Sequence, residues 1–158
     1  MAEPIEIEAS SRSERYELLN PQMKGLLEGE TNRVANMANF CAALNQTMEF
    51  HWVGFYMVEG DELVLGPFQG PVACTRLRRG KGVCAAAWEQ GSTQIVSDVH
   101  AFPGHIACSP FSKSEIVVPV FNSSGEVWGV LDIDSDQIND FSEIDQRHLE
   151  QMVKYLGE

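Results

Sequence analysis

Long apolar runs and positive charge are what this sequence lacks. No stretch of roughly 18 or more apolar residues occurs, so the sequence predicts no membrane-spanning helix. The 11 lysines and arginines are outnumbered by 23 aspartates and glutamates, and the resulting net charge of −12 disfavours binding to nucleic acid or to anionic membrane surfaces. The acidic N-terminal stretch MAEPIEIEASSRSER has no apolar core, unlike a secretory signal peptide, and we therefore expect a cytoplasmic protein.

The sequence has few cysteines, and the spacing between them is unlike that of the ligands in structural metal sites. The sequence has four cysteines and no CxxC pair, and the positions of Cys74, Cys84 and Cys108 do not follow zinc-finger spacing. In a reducing compartment these cysteines are not expected to form permanent disulfides. Transient redox chemistry is therefore favoured over a structural metal site.

Two histidines lie in a long polar loop, HAFPGHIACSPFSKSE, whose length is typical of a functional lid. His100, His105 and Cys108 could bind a metal ion, but Asp98 is the only nearby candidate for a fourth ligand. We therefore expect no metal site in this protein.

The few cations are unevenly placed, because Arg76, Arg78, Arg79 and Lys81 fall within six residues. Two interpretations stay open for this cluster: a local anion site, or a solvated basic turn. The glycines of the same turn lack the spacing of a dinucleotide-binding or P-loop motif.

The order of apolar patterns predicts one α+β domain. We expect an acidic flexible tail over residues 1–13 and a single domain over residues 14–158. Two N-terminal helices, the first either continuous or interrupted at Pro21, precede about six strands in hairpins, with one helix inserted between strands and another at the end. This order is typical of a central antiparallel sheet with N- and C-terminal helices packed against it.

Three carboxylates are set into otherwise apolar strands. Glu115 lies in SEIVVPV, and Asp132 and Asp134 lie in VWGVLDIDS. Residues two apart on a strand share a face, so the two aspartates place a pair of negative groups on one surface. Asp134 could equally be a solvated strand end, whereas Asp132 lies between apolar neighbours.

Aromatic and cysteine residues surround these acids in the sequence. Trp52 and Tyr56 alternate with the predicted core residues of the first hairpin and so point away from that core. Cys84 follows a glycine-rich basic turn and begins a helix, a position that stabilises a thiolate. Cys41 lies on the apolar face of the second helix, where a buried thiol is the more common case.

Five segments carry a family resemblance: HWVGFYMV, GPFQGPVACTRLRRGKGVCAAAW, DVHAFPGHIACS, SEIVVPVF and GEVWGVLDIDS. Together they closely resemble the free methionine-(R)-sulfoxide reductases, a GAF-domain family that reduces the free amino acid, over about residues 35–156. The resemblance implies a GAF domain with a sheet of about six strands. The three cysteines in their local settings are more specific than this fold, which alone says nothing about activity.

The resemblance implies redox roles for three cysteines. Cys108 matches the attacking thiol and Cys74 its disulfide partner, whereas Cys84 could be the attacker or a second resolving thiol. It also implies a set of substrate-binding residues, namely Glu115, Asp132, Asp134, Trp52 and Tyr56.

The implied reaction reduces free L-methionine-(R)-sulfoxide through a sulfenic acid and an intramolecular disulfide, which thioredoxin resets without a metal or organic cofactor. The closing helices of GAF domains often pair, so we expect a homodimer. Two alternatives stay open: a non-catalytic GAF module that senses or binds a small molecule, and a peroxide-sensing thiol protein.

Overall fold

An antiparallel sheet is the central element of the computed structural model, which describes residues 2–8, 11–105 and 109–157. Within these ranges the sheet has six strands: β1 (Trp52–Glu59), β2 (Glu62–Gln69), β3 (Arg76–Arg78), β4 (Gln94–Val96), β5 (Ser114–Phe121) and β6 (Val127–Ser135). Their order across the sheet is β3-β2-β1-β6-β5-β4. All neighbours pair antiparallel, which places β1 beside β6 at the centre. The predicted α+β class is confirmed.

Helices cover both faces of this sheet. Within the same ranges the four α-helices are α1 (Arg12–Leu27), α2 (Arg33–Met48), α3 (Gly82–Gln90) and α4 (Glu143–Met152), and short 3₁₀ helices span Val99–Ala101 and Val153–Leu156. The helices α1, α2 and α4 contribute to the core on one face, whereas α3 packs against β5 and β6 on the other. Among the described residues, no helix combines the length and apolar character needed to cross a membrane.

The N-terminal boundary differs from the predicted one. Helix α1 begins at Arg12, because the Ser11 hydroxyl accepts a hydrogen bond from the backbone N–H of Glu14 and so caps the helix. It continues through Pro21, so the continuous form of the two predicted alternatives is correct. Ile5 and Ile7 are partly buried against the helical core. The segment predicted as a tail therefore includes the start of a helix and two residues that contact the core.

A β-bulge changes the face on which one strand residue lies. The alternation of β6 predicts Trp128 on the same face as Asp132, but Trp128 packs in the helical core with the Arg33 guanidinium 3.9 Å from its ring centroid. The register between β5 and β6 shifts after Val120, and this shift moves the tryptophan to the other face. The prediction for Trp128 was wrong, whereas Val130, which follows the shift, faces as predicted.

A glycine in β1 is required by close packing of the strand. Gly54 lies opposite Asp132 of β6 and Phe68 of β2. A Cβ atom at this position would lie 2.5 Å from the Cβ of Phe68 and closer still to the indole ring of Trp52. Any larger residue must therefore displace an aromatic side chain.

We expect Gly54→Ala to lower the free energy of unfolding by about 1–3 kcal/mol, the usual cost of overpacking. Gly25→Ala is a matched control, because Gly25 is exposed in α1 and its Cβ would meet nothing within 4 Å. This control should raise the free energy of unfolding by up to about 1 kcal/mol, since alanine favours a helix. Urea unfolding of both variants measures the difference, and a Gly54→Ala protein as stable as the wild type would contradict the packing argument.

Candidate functional site

A pocket lies between the sheet and the N-terminal end of α3. Strands β1, β5 and β6 form its floor, and α3 with the segments before and after it forms the walls. The cavity volume is about 50 Å³, several times the space that one water molecule needs. The lining residues are Trp52, Tyr56, Val72, Ala73, Leu77, Lys81, Gly82, Val83, Cys84, His105, Ser109, Ser112, Glu115, Asp132 and Asp134.

Strand pairing brings the three predicted acids together. Glu115 of β5 lies directly opposite Asp134 of β6, and Asp132 is two residues further along the same strand. Side chains two apart on a strand point to the same face, so all three carboxyl groups line the pocket floor. The exposed fraction is only 6% for Glu115 and 5% for Asp132. The solvated interpretation does not apply to Asp134, which is half-buried in the pocket.

Burial and mutual repulsion make this cluster hold protons. Burial raises the pKa of Glu115 well above its usual value, and the neighbouring Asp132 and Asp134 raise it further. Burial likewise raises the pKa values of Asp132 and Asp134, although hydrogen bonds with Glu115 oppose the shift in both. Carboxyl groups can hydrogen-bond to one another only when a proton lies between them. The cluster therefore contains a carboxylic acid near neutral pH that can donate a proton.

Cys84 is in the pocket, but its surroundings oppose ionisation. The thiol is 5% exposed, and it hydrogen-bonds to Asp132. Burial raises the pKa of Cys84 well above its usual value, and the carboxylates of Asp132, Glu115 and Asp134 raise it further. The prediction of a stabilised thiolate was wrong, because burial and three nearby carboxyl groups oppose ionisation of this thiol.

Two of the four basic residues before α3 form ion pairs away from this thiol, whereas Lys81 lines the pocket. Arg79 forms an ion pair with Asp61 at 2.9 Å, and its guanidinium lies 4.2 Å from the ring centroid of Trp88. Arg76 pairs with Glu62 at 2.6 Å. Both arginines are more than half exposed, so the solvated basic turn is the interpretation that the structure favours for them.

The other cysteines lie in different settings. Cys74 is half-buried and disulfide-bonded. Cys41 is a free thiol in the helical core, and burial raises its pKa. Cys108, the thiol to which the resemblance assigns attack, lies outside the described residues.

Two aromatic rings form an apolar wall of the pocket. The rings of Trp52 and Tyr56 are stacked with centroids 6.0 Å apart, and Phe68 also stacks with the indole of Trp52 at 5.3 Å. The indole N–H donates to the Pro71 carbonyl at 3.0 Å, and the Tyr56 hydroxyl donates to the Cys74 carbonyl at 2.8 Å. Because their polar groups are bonded to this backbone segment, the rings offer mainly apolar surface to the pocket.

Several lining residues were not singled out from the sequence as substrate-binding residues. His105 was considered only as a metal ligand, yet it lies in the pocket wall, where burial lowers its pKa and the neighbouring His100 lowers it further. Ser109 and Ser112 also line the pocket. The sequence signal for these residues was their position in the long loop that leads directly into the strand of Glu115.

A group of pocket side chains is also placed to hold a metal ion. Candidate ligand atoms of Cys84, Glu115 and Asp132 all lie within 4.8 Å of one another. These residues are not the candidate metal ligands of the long loop, His100, His105 and Cys108, that were considered from the sequence.

Comparisons with known proteins agree with this architecture. A profile of the GAF domain matches residues 35–158. GAF domain-containing protein A of Dictyostelium discoideum is 57% identical over 157 residues, which cover 99% of each chain. The free methionine-R-sulfoxide reductase of Escherichia coli is 44% identical over 92% of this chain and 88% of its own length.

A solved structure extends the agreement to three dimensions. The X-ray structure of free methionine-R-sulfoxide reductase from Neisseria meningitidis, in complex with its substrate, is 47% identical and has a TM-score of 0.95. The match covers 99% of this chain and 93% of that chain. The GAF fold implied by the sequence segments is confirmed. With these identities over nearly its whole length, the chain belongs to the free methionine-(R)-sulfoxide reductase family of GAF-domain proteins.

Proposed function

We propose that this protein reduces free L-methionine-(R)-sulfoxide to methionine with electrons from its own cysteine thiols. The observation that carries the proposal is the buried cluster of Glu115, Asp132 and Asp134 in an aromatic-walled pocket. Family membership supports it, since relatives that cover most of this chain are reductases of this substrate.

The pocket matches the chemistry of this substrate. Free methionine sulfoxide carries an ammonium group, a carboxylate, a polar S=O bond and a methyl group. We assign the ammonium group to the carboxylates of the acid cluster, and the methyl group to the stacked rings of Trp52 and Tyr56. A peptide-bound sulfoxide has no free ammonium group next to its side chain and would leave these buried acids unpaired.

The acid cluster also supplies the proton that reduction requires. An S=O bond breaks more easily when its oxygen is protonated as the sulfur is attacked. Glu115 is our candidate donor, because it hydrogen-bonds to both aspartates and its raised pKa keeps it protonated. Reduction then needs no metal ion or organic cofactor.

The redox steps use two cysteines, Cys108 and Cys74. The Cys108 thiolate attacks the sulfoxide sulfur, the oxygen is transferred to the cysteine as a sulfenic acid, and methionine leaves. The Cys74 thiol then condenses with the sulfenic acid, which forms the S–S bond and releases water. An external dithiol, for which we propose thioredoxin, reduces this disulfide and restores both thiols.

We assign Cys84 to a supporting role rather than to attack. Its raised pKa leaves little thiolate near neutral pH, and the thiolate is the attacking species. Its place beside the acid cluster suits a second resolving thiol.

The wider setting is also part of the proposal. We propose a single catalytic domain that begins with helix α1 at Arg12, a cytoplasmic location where thioredoxin is reduced, and a homodimer. Light scattering of the purified protein tests the assembly.

Substrate specificity tests the function directly. We expect turnover of free L-methionine-(R)-sulfoxide with thioredoxin or dithiothreitol as the reductant. The kcat/KM for the S epimer and for a peptide-bound sulfoxide should be at least about a hundredfold lower, because each of these compounds misplaces a polar group in the pocket. Methionine release is measured by chromatography. No turnover of any form by protein with confirmed reduced thiols would refute the reductase and leave the sensor or binding module.

Removal of one acid separates the reductase from a peroxide-sensing thiol protein. We expect Glu115→Gln to lower kcat/KM for the free sulfoxide by about 10²–10⁴-fold, because the amide cannot donate the catalytic proton. Glu126→Gln is the matched control, since Glu126 is exposed, and its activity should equal that of the wild type. The rate at which the thiols react with hydrogen peroxide should change little in either variant. Full sulfoxide reductase activity in Glu115→Gln would contradict the assigned role.

The same variant tests the protonation state of the cluster. Burial raises the pKa of Glu115 well above its ordinary value of 4.5, so the folded protein binds more protons than the unfolded chain does above that pH. The free energy of unfolding therefore decreases as the pH rises from this value toward the raised pKa. Glutamine stays neutral at every pH, so between about pH 5 and pH 9 the free energy of unfolding should fall less in Glu115→Gln than in the wild type. Urea unfolding at a series of pH values measures this, and equal slopes would show that Glu115 is ionised in the folded protein.

A further inference from the structure

We propose that Cys84, Glu115 and Asp132 form an inhibitory site for a thiophilic divalent cation such as Zn²⁺, which competes with the substrate for the pocket. The inhibition rests on the proposed function, because it requires that the substrate bind in this pocket. The binding itself depends on the geometry of these side chains alone.

The geometry of the three residues suits a common metal ion. The Cys84 sulfur and one oxygen from each of Glu115 and Asp132 lie within 4.8 Å of one another. Zinc binds sulfur at about 2.3 Å and carboxylate oxygen at about 2.0–2.2 Å, so ligand atoms around it are roughly 3.5 Å apart. Small side-chain rotations would bring the three atoms to this spacing.

A second observation points to a missing ligand at this position. Among the described residues, Oδ1 of Asp132 has no hydrogen-bond partner, although the side chain is buried and lines the pocket. A buried carboxylate oxygen without a partner is costly, and native structures rarely contain one without a bound group or water. A cation in the pocket would supply the partner.

The combination of one sulfur ligand with carboxylate oxygens determines which class of cation can bind. A sulfur ligand beside carboxylates suits Zn²⁺, Co²⁺ or another thiophilic metal, whereas Mg²⁺ and Ca²⁺ prefer oxygen ligands alone. Binding forms the metal–sulfur bond and releases the Cys84 thiol proton to solvent, together with a proton shared between the carboxyl groups. The net charge of −12 also favours the approach of a cation.

Inhibition follows from the overlap of the two sites. The acids that would hold the cation are those assigned to the substrate ammonium group and to proton donation. A metal-bound carboxylate cannot donate a proton, and the ion would occupy the space of the substrate.

Cobalt binding tests the site without turnover, because a Co²⁺–thiolate bond gives a charge-transfer band in the near ultraviolet. We expect Co²⁺ to produce this band with one equivalent per chain, in protein whose Cys74 disulfide is intact and in buffer free of added thiols. Zn²⁺ should displace the cobalt and abolish the band. Absence of the band in the wild type would overturn the proposal.

Matched variants locate the ligands. Cys84→Ala should abolish the band, and Asp132→Asn should weaken Co²⁺ binding at least about tenfold through the loss of one ligand. Cys41→Ala is the control, since Cys41 is a free thiol outside the pocket and its removal should leave the band unchanged. A band that persists in Cys84→Ala would place the cobalt elsewhere and refute the site.

Competition separates the inhibition from the proposed function. L-Methionine-(R)-sulfoxide should raise the apparent Kd of Co²⁺ in the same oxidised protein, and this readout needs no catalysis. Binding without competition would overturn the inhibitory role. A protein that binds cobalt competitively but shows no turnover in metal-free assays would refute the reductase while leaving the metal site supported.

Discussion

The antiparallel pairing of β5 with β6 is the constraint on which the site depends. It places Glu115 opposite Asp134 and leaves Asp132 one pleat further along, so that three carboxyl groups share one buried surface. Glu115 and Asp132 have little exposure to solvent there, and the three groups can coexist only by sharing protons. The same shared protons give the pocket a donor near neutral pH, an electrostatic feature that the strands would lose if their register slipped by one residue.

The packing of the helical layer on the sheet offsets the free-energy cost of burying the three carboxyl groups. Burial of apolar side chains between the sheet and its N- and C-terminal helices is the main favourable contribution to folding. A polar network ties this layer to the strand ends. Arg12 pairs with Asp140 at 2.8 Å, Asp140 accepts a hydrogen bond from Ser135 at 2.6 Å, and Tyr16 donates to Asp145 at 2.6 Å. Ser135 follows directly after Asp134, so the network anchors the strand end that carries the aspartates.

The apolar pattern and the local sequence were sufficient to predict much of the fold and part of the site. The alternation in β1 and β6 predicted which way Trp52, Tyr56 and Asp132 point, because the side-chain period of a strand is two. The prediction failed for Trp128, where a bulge interrupts the period. It also failed for the ionisation of Cys84, since the neighbours that oppose it lie on strands remote in the sequence.

The sequence by itself determined the class of fold, the candidate acids and thiols, and, through the specific settings of its cysteines, the family. These depend on local periodicity and on short segments whose residue types do not change on folding. Only the tertiary structure decided which groups share a surface and which of them hold a proton. It also decided which side chains, such as His105, complete the pocket wall. Burial and charge–charge distance set a pKa, and both arise from contacts between segments that strand pairing brings together.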